Sequence, residues 1–342
     1  MLKVGIVGIG FMGMIHYLAY QRIENVKVVA LCESFSKERL TGDWTKIKGN
    51  FGPQGTQMDL TGIATYDNIE SLLADPNVDV VDICLPPAGH AANTIMALNA
   101  GKNVFCEKPI SLQAEEGAAM VAAAEKNGKL LMIGHVLPFF DAFNYIYQAK
   151  LDGRFGKCLG GNFTRVISDP TWLKNFYSMN GSGGPMLDLH IHDAHFIRTM
   201  FGMPKAVRTL GRLRGDVPEF FNTQFVYNDS DIVVTATSGT IKQQSRPFTF
   251  SYEVHFEKAT VFTDCFNQIP VTVLHEDGKT IEKPEFPAGD DITPFVNELT
   301  EARNCFLANK PSAMLDGVLA RDALTICHKE IDSCNLRTQI MI

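Results

Sequence analysis

The chain has 342 residues, of which 45% are hydrophobic, and its formal net charge is −7 at pH 7. This length and apolar content predict two folded domains and exclude a disordered chain. Lysines and arginines are scattered along the sequence, so neither nucleic acid nor an anionic membrane is an expected partner.

The eight cysteines are widely spaced and include no Cys-x-x-Cys pair. This usage favours reduced core thiols over a disulfide framework or a zinc site. The sequence enters a predicted strand at once, without a charged leader, and no apolar run reaches membrane-spanning length. We therefore expect a cytoplasmic protein.

The first 33 residues have the pattern of a dinucleotide-binding β-α-β unit. An apolar strand ends in Gly8-Ile9-Gly10-Phe11-Met12-Gly13, and a helical pattern follows. Gly8 allows the tight turn, Gly10 lets the backbone approach a pyrophosphate, and Gly13 permits close packing of helix on sheet. The N–H groups at the helix start are expected to face the phosphates. The alternative is an ordinary tight turn.

An acidic residue follows the second strand of this unit. Glu33 comes directly after Val28–Cys32 and about twenty residues after the last glycine, where a carboxylate can bind ribose hydroxyls. This position favours NAD. Lys37 and Arg39 follow closely and could neutralise a 2′-phosphate, so NADP stays open.

Strand and helix patterns then alternate as far as Gly134. This alternation predicts an α/β fold with a doubly wound parallel sheet, and we assign a Rossmann dinucleotide-binding domain to residues 1–134. Strands are predicted near residue 63 and over 78–85, 103–106 and 130–133, and helices over 68–74, 90–100 and 114–127.

The pattern changes in residues 135–342, which we assign to a domain for substrate binding and oligomerisation. A helix (139–151) and a strand (158–166) come first. Alternating segments beyond Lys205 predict an open, mostly antiparallel sheet. Two terminal helices, one with Thr293 as N-cap and one over 317–332, are expected to pack back toward the first domain.

Lys108 lies at the carboxyl end of a predicted strand, within Glu107-Lys108-Pro109. Ligands bind at that end of an open α/β sheet, and the following proline keeps Lys108 extended. An ammonium group there can orient a hydroxyl and stabilise developing negative charge on oxygen. The alternative is an exposed lysine that starts a turn.

Histidines and aspartates are concentrated in Gly183–His195, at the start of another predicted helix. Regular helical spacing places Asp188, His192 and His195 on one face, and histidine suits general-base chemistry near neutral pH. Two alternatives stay open. The histidines could ligate zinc, or they could bond locally at the helix start, which is the favoured interpretation for His190.

Together these segments resemble the glucose-fructose oxidoreductase / inositol dehydrogenase / MocA family (Gfo/Idh/MocA). The glycine turn, AGKNVFCEKP (100–109) and GGPMLDLHIHDAH (183–195) occur in the family's order, and Leu85 to His90 resembles its cofactor-contacting loop. The resemblance implies an N-terminal Rossmann domain and a C-terminal α/β domain. It also implies a homodimer or homotetramer built through the antiparallel sheet.

Carried over residue by residue, the resemblance implies Lys108 as the catalytic lysine, Asp188 as its carboxylate partner and His192 as the acid/base histidine. The chain departs from the family at Leu85, where threonine is usual, at Pro87, often asparagine, and at His195, commonly aspartate. The predicted cofactor-binding residues are Gly8, Ile9, Gly10, Phe11, Met12, Gly13, Glu33, Leu85, Pro86, His90, Glu107 and Lys108.

We therefore expect an NAD(P)-dependent oxidoreductase that transfers a hydride between nicotinamide and a secondary alcohol or ketone. The expected substrate is a sugar, an inositol-like polyol or a related cyclic compound, with no resident metal. Alternatives are a redox-neutral NAD-dependent glycosidase and a non-catalytic regulator that binds NAD and sugar. Candidate substrate contacts are His135, Arg165, Trp172, Lys174 and His195.

Overall fold

The computed structural model describes residues 1–229 and 231–342, and the chain divides into two compact units. The first unit contains residues 1–139 and 288–321, and the second contains residues 140–287 and 322–342. The chain therefore returns to the first unit after completing most of the second.

The first unit contains a six-stranded parallel sheet, as the sequence predicts. Its spatial order is β3-β2-β1-β4-β5-β6, so the order reverses between β1 and β4, where doubly wound sheets bind ligands. The strands are β1 (Leu2–Val7), β2 (Val26–Cys32), β3 (Ala64–Tyr66), β4 (Val80–Ile83), β5 (Asn103–Glu107) and β6 (Leu131–Gly134).

The helices follow the apolar periodicity of the sequence. They are α1 (Phe11–Tyr20), α2 (Ile69–Leu73), α3 (His90–Asn99), α4 (Ala114–Asn127), α5 (Asp141–Asp152), α6 (Ile191–Phe201), α7 (Thr293–Ala308) and α8 (Gly317–Leu336). In the first unit, α7 packs against α1, and Phe295 and Leu299 join Ile6, Ile15 and Phe105 in one buried core. Burial of both faces of the sheet explains the nearly continuous apolar strands.

The N-terminus of α7 differs in one detail from the predicted cap. Oδ1 of Asp290 accepts hydrogen bonds from the backbone N–H groups of Ile292 and Thr293, at 3.2 and 3.0 Å. The N-cap residue is Ile292, which provides no capping side chain, and Thr293 is the first helical residue. Asp290, outside the helix, binds the N–H groups at its start instead.

The second unit contains a nine-stranded sheet that is mixed but mostly antiparallel, as the sequence predicts. Strand β7 runs parallel to β10, and the other pairs are antiparallel. The spatial order is β14-β13-β12-β11-β7-β10-β9-β8-β15. The strands are β7 (Cys158–Ser168), β8 (Ala206–Arg214), β9 (Val217–Val226), β10 (Val233–Ile241), β11 (Thr249–Phe256), β12 (Ala259–Asp264), β13 (Ile269–His275), β14 (Ile281–Glu282) and β15 (Ile340–Met341).

The two faces of this sheet differ in exposure. Along β10, Val234 and Ala236 are buried on one face, whereas Val233, at the start of the strand, is 61% exposed. Helix α6 contacts β7 on the buried side. Across residues 1–229 and 231–342, no helix combines the length and the apolar character needed to span a membrane.

Candidate cofactor and active site

The turn after β1 requires glycine at two positions. Gly8 has φ +92°, and a Cβ there would lie 2.9 Å from the carbonyl oxygen of Cys84. A Cβ on Gly13 would lie 2.1 Å from the carbonyl oxygen of Gly8. The close approach of α1 to the turn therefore depends on missing side chains, which agrees with the roles predicted for these glycines.

Gly10 differs from both, because a Cβ built on it would meet no atom within 4 Å. It directly precedes α1, whose first turn carries no acidic side chain. The first N–H groups of a helix lack intrahelical partners and attract anions. Open space at Gly10 beside these donors fits the pyrophosphate of a dinucleotide. Ile9 is buried, whereas Phe11 and Met12 are partly exposed.

Glu33 lies against this glycine turn, and a contact with the ribose remains a prediction. Its Oε2 accepts a hydrogen bond from the backbone N–H of Ile9 at 3.0 Å, and its Oε1 accepts from Phe35 and Ser36 at 2.9 and 3.2 Å. Arg39 donates to the carbonyl oxygen of Ile9 at 2.9 Å, and its Nη1 lies 3.7 Å from Oε2 of Glu33. The turn therefore has a carboxylate and a guanidinium beside it.

His90 connects two loops at the carboxyl edge of the sheet. Its Nδ1 lies 2.7 Å from the carbonyl oxygen of Pro109, and its Nε2 lies 2.8 Å from that of Leu85. Burial lowers the pKa of His90. Its ring therefore contacts backbone on both sides, and a direct cofactor contact remains a prediction, as it does for Leu85 and the exposed Pro86.

Lys108 follows directly after the last residue of β5. Glu107 is 7% exposed, whereas Lys108 is partly exposed at the strand end. The first unit thus brings the glycine turn, Glu33, the loop after β4 and the Lys108 segment to the same edge of its parallel sheet, because the carboxyl ends of parallel strands share one edge.

The helical segment with Asp188 and His192 belongs to the second unit. Met186–His190 forms a π-helical turn, which continues into α6. A π turn has more residues than an α turn, so the face shared by Asp188 and His192 cannot be read from regular helical spacing. Both side chains are partly exposed, whereas His195 is fully buried.

His190 has a structural environment, but its hydrogen-bond partners are distant in sequence, so the predicted local bonding at the helix start is wrong. Its Nδ1 lies 2.8 Å from Oγ of Ser238, and its Nε2 lies 3.0 Å from Oε1 of Glu330. Burial opposes protonation of the ring, but the Glu330 carboxylate raises the pKa of His190. The three side chains resemble a Ser-His-Glu triad, but each is at most 1% exposed and therefore out of reach of a substrate. Their role is structural, since they connect the start of α6 to β10 and α8.

The remaining substrate candidates have contrasting environments. Arg165 is 3% exposed and its guanidinium donates to Asp193, while His135 and His195 are fully buried. Trp172 is 62% exposed, and Lys174 is exposed as well. A substrate contact remains a prediction for each of these residues.

Comparisons with known proteins agree with this geometry. Residues 2–135 match the family model of the Gfo/Idh/MocA oxidoreductases with an NAD-binding Rossmann fold, and residues 144–262 match the GFO/IDH/MocA C-terminal domain. Inositol 2-dehydrogenase of Rhizobium meliloti is 28% identical over 295 residues, covering 83% of this chain and 81% of the relative. Myo-inositol 2-dehydrogenase of Thermotoga maritima is 26% identical over 295 residues, covering 81% and 79%.

A solved structure extends the similarity of fold over the whole chain. Levoglucosan dehydrogenase, in complex with NADH and levoglucosan, matches with a TM-score of 0.83 over 100% of this chain and 99% of that chain, at 19% identity. The chain belongs to the Gfo/Idh/MocA family and is an NAD(P)-dependent oxidoreductase.

Proposed function

We propose that this enzyme transfers a hydride between NAD and a secondary alcohol or ketone of a sugar, an inositol-like polyol or a related cyclic compound. The observation that carries the proposal is the glycine turn, with open space at Gly10 where the sheet order reverses. The two inositol dehydrogenases among its relatives support this substrate class.

Three residues carry the proposed chemistry. His192 accepts the proton of the substrate hydroxyl, Lys108 donates a hydrogen bond to the same oxygen, and Asp188 orients the lysine or the histidine. NAD, when bound, supplies the hydride acceptor, and the protein supplies alignment. The partial exposure of all three side chains supports this assignment, because a group that meets a substrate must be reachable.

We propose that Trp172 and Lys174 contribute to substrate recognition. An exposed aromatic ring can pack on the apolar face of a sugar ring, and an ammonium group suits hydroxyl or carboxylate oxygens. Their exposure supports this role. Direct substrate contacts by His135, Arg165 and His195 are proposed as well, and require that ligand reaches side chains that are now buried.

We further propose a homodimer or homotetramer built through the exposed face of the nine-stranded sheet. Strand register places four exposed apolar side chains on that face: Leu210, Val233, Leu274 and Ile281, which are 54%, 61%, 41% and 63% exposed. Exposed apolar side chains on one face of a sheet support its use as an interface. Light scattering should detect an oligomer that Val233→Glu converts to smaller species.

A cytoplasmic location is also proposed. It is supported by the eight cysteines, all of which are free thiols, since disulfides are rare in reducing compartments.

The test of the proposed reaction is a substrate panel. Purified protein is incubated with NAD or NADP and a series of inositols, aldoses and aldonic acids, while the absorbance of reduced nicotinamide is followed. Reduction with one substrate class supports the proposal and identifies the preferred cofactor. No reduction with any member, despite measurable NAD binding, would overturn it.

A further inference from the structure

A buried polar cluster lies beside β4 and β5 in the first unit and has no part in the proposed proton transfers. It contains His16 of α1, Asp82 of β4 and Glu107 of β5, whose side chains are 0%, 0% and 9% exposed. Two apolar rings lie beside it: His16 packs edge-on against Phe105, and the Phe295 ring lies 6.3 Å from the His16 ring. Burial of charged groups in such surroundings is costly unless they are paired.

His16 lies between the two carboxylates. Its Nδ1 is 2.9 Å from Oδ2 of Asp82, and its Nε2 is 3.1 Å from Oε1 of Glu107. Nδ1 is hydrogen-bonded to Asp82, whereas Nε2 lies at ion-pair distance from Glu107 without hydrogen-bond geometry. Both contacts are favourable when the ring carries a positive charge, since an ionised carboxylate only accepts hydrogen bonds and attracts cations. Burial opposes this charge, but the neighbouring Cys84 and Asp82 raise the pKa of His16 well above 6.5. The two carboxylates beside the ring favour the imidazolium form of His16.

Hydrogen bonding explains this cluster better than a bound metal. The thiol of Cys84 also lies close, with Sγ 3.3 Å from Nδ1 of His16 and 3.4 Å from Oδ1 of Asp82. Nitrogen and oxygen ligands of tetrahedral zinc would be about 3.3 Å apart, given metal–ligand distances near 2.0 Å. The 2.9 Å between His16 and Asp82 is instead an ordinary hydrogen-bond length.

Glu107 is confined on another side by β6. Glu107 pairs in register with Gly134, and a Cβ on Gly134 would lie 2.9 Å from Oε1 of Glu107. The missing side chain therefore leaves space for this carboxylate next to His16. Because Glu107 is the last residue of β5, its anchoring restricts the direction in which the backbone leaves the strand at Lys108.

We propose that His16 is a positioning residue for Lys108, acting through the carboxylate of Glu107. The imidazolium ion holds Glu107, and Glu107 holds the adjoining residue in the orientation that the substrate oxygen requires. This inference rests on the proposed function, in which Lys108 contacts that oxygen. Misplacement of a catalytic group by about 1 Å can reduce turnover by about a hundredfold.

The kinetic test is a double-mutant cycle with His16→Gln, Glu107→Gln and both changes together. Each single variant should lower kcat by about tenfold or more, and the double variant should be no slower than the slower single one, because both act on one contact. The matched control is Tyr20→Phe. Tyr20 is in α1, as His16 is, and the change removes a hydroxyl that is hydrogen-bonded to Asp82. It should keep the kcat of the unmodified enzyme.

A spectroscopic test does not depend on turnover. Nitrogen NMR of histidine-labelled protein without cofactor should show both His16 ring nitrogens protonated at pH 7, and His16→Gln identifies the signal. A neutral His16 ring at that pH overturns the inference. If His16→Gln does not fold, Glu107→Gln still tests the kinetic effect, since it preserves the shape of the side chain.

The outcomes separate this inference from the proposed reaction. A kcat for His16→Gln equal to that of Tyr20→Phe, or fully additive losses in the cycle, would overturn the positioning role alone. Unchanged turnover in Lys108→Met would overturn the proposed role of Lys108 itself, whatever the His16 variants do.

Discussion

The guanidinium group of Arg165 donates two hydrogen bonds to the carboxylate of Asp193, from Nε to Oδ2 at 2.7 Å and from Nη2 to Oδ1 at 2.9 Å. The two side chains are 3% and 2% exposed. Since Arg165 is in β7 and Asp193 is in α6, the pair anchors the helix that carries His192 to the centre of the second sheet. Paired geometry of this kind fixes orientation as well as distance.

Arg165→Met should therefore lower the free energy of unfolding by about 3–5 kcal/mol, because the carboxylate of Asp193 would stay buried without its partner. Denaturant unfolding followed by circular dichroism measures the loss. The double replacement Arg165→Met with Asp193→Leu should recover much of it, since no charge remains buried. Unchanged stability in Arg165→Met would contradict this structural role, and a rise in KM in the same variant would support the substrate contact proposed for Arg165.

Two glycines of the first turn should respond differently to the same small change. Gly10→Ala has space for its methyl group and should fold normally, but should weaken NAD binding about tenfold or more by occupying the approach to the backbone. Gly13→Ala places a Cβ 2.1 Å from a backbone oxygen, and should destabilise the protein by about 1–3 kcal/mol. Calorimetric titration with NAD measures the loss of affinity, and thermal unfolding measures the loss of stability. Equal NAD affinity for Gly10→Ala and the unmodified protein would contradict a pyrophosphate site at Gly10.

The proposed acid/base groups can be tested by removal. Lys108→Met and His192→Ala should each lower turnover by about two orders of magnitude or more, and NAD affinity should remain nearly unchanged. Steady-state rates with the best substrate of the panel provide the first measurement, and NAD titration provides the control. Full activity in both variants would contradict the proposed roles of Lys108 and His192.

Local requirements made much of the first unit predictable from sequence. The glycine turn depends on steric limits within a few residues, and the buried strand that ends at Glu107 is a continuous apolar run. Together they place Lys108 at the ligand-binding edge of a parallel sheet. Contacts between residues distant in sequence have no such signal: His190 meets Glu330 across 140 positions.

Two further features could not be predicted from the sequence, each for a different reason. The π turn at Met186–His190 differs from an α-helix by a single extra residue per hydrogen bond, and its composition is that of any helix start. The apolar stripe of α7 predicts that one face is buried, but it does not state which unit provides the partner surface. Residues 288–321 belong to the first unit because α7 packs on α1.

Cofactor preference should depend on Glu33. Its carboxylate lies at the glycine turn, where its negative charge opposes the 2′-phosphate of NADP. Glu33→Gln removes the charge and keeps one acceptor oxygen, which can serve either Ile9 or Phe35 and Ser36 but not both sides. The ratio of kcat/KM for NADP over NAD should rise about tenfold. Arg39→Met is the reverse control and should lower that ratio. An unchanged ratio in Glu33→Gln would show that this carboxylate does not select the cofactor.

Glu298 of α7 is a buried acid in the first unit and should make stability depend on pH. Its side chain is fully buried, and neither carboxyl oxygen has a hydrogen-bond partner among residues 1–229 and 231–342. Burial and the nearby charge of Glu107 raise the pKa of Glu298 well above 4.5. The folded protein therefore holds this group as a neutral acid over a pH range in which the unfolded chain ionises it.

The sign of the effect follows from proton linkage. Because the pKa of Glu298 is higher in the folded than in the unfolded protein, its contribution to stability is fully present below the unfolded pKa, near 4.5. The free energy of unfolding then falls by about 1.4 kcal/mol per pH unit as the pH rises toward the pKa of the folded state. Glu298→Gln cannot ionise in either state. It should match the unmodified protein in stability near pH 4.5 and exceed it at pH 7, with a gap that widens between pH 5 and 7. Urea unfolding at several pH values measures the gap, and Glu285→Gln, at an exposed position, is the control. If the stability of Glu298→Gln and of the unmodified protein changed with pH in parallel, Glu298 would ionise equally in the folded and unfolded states.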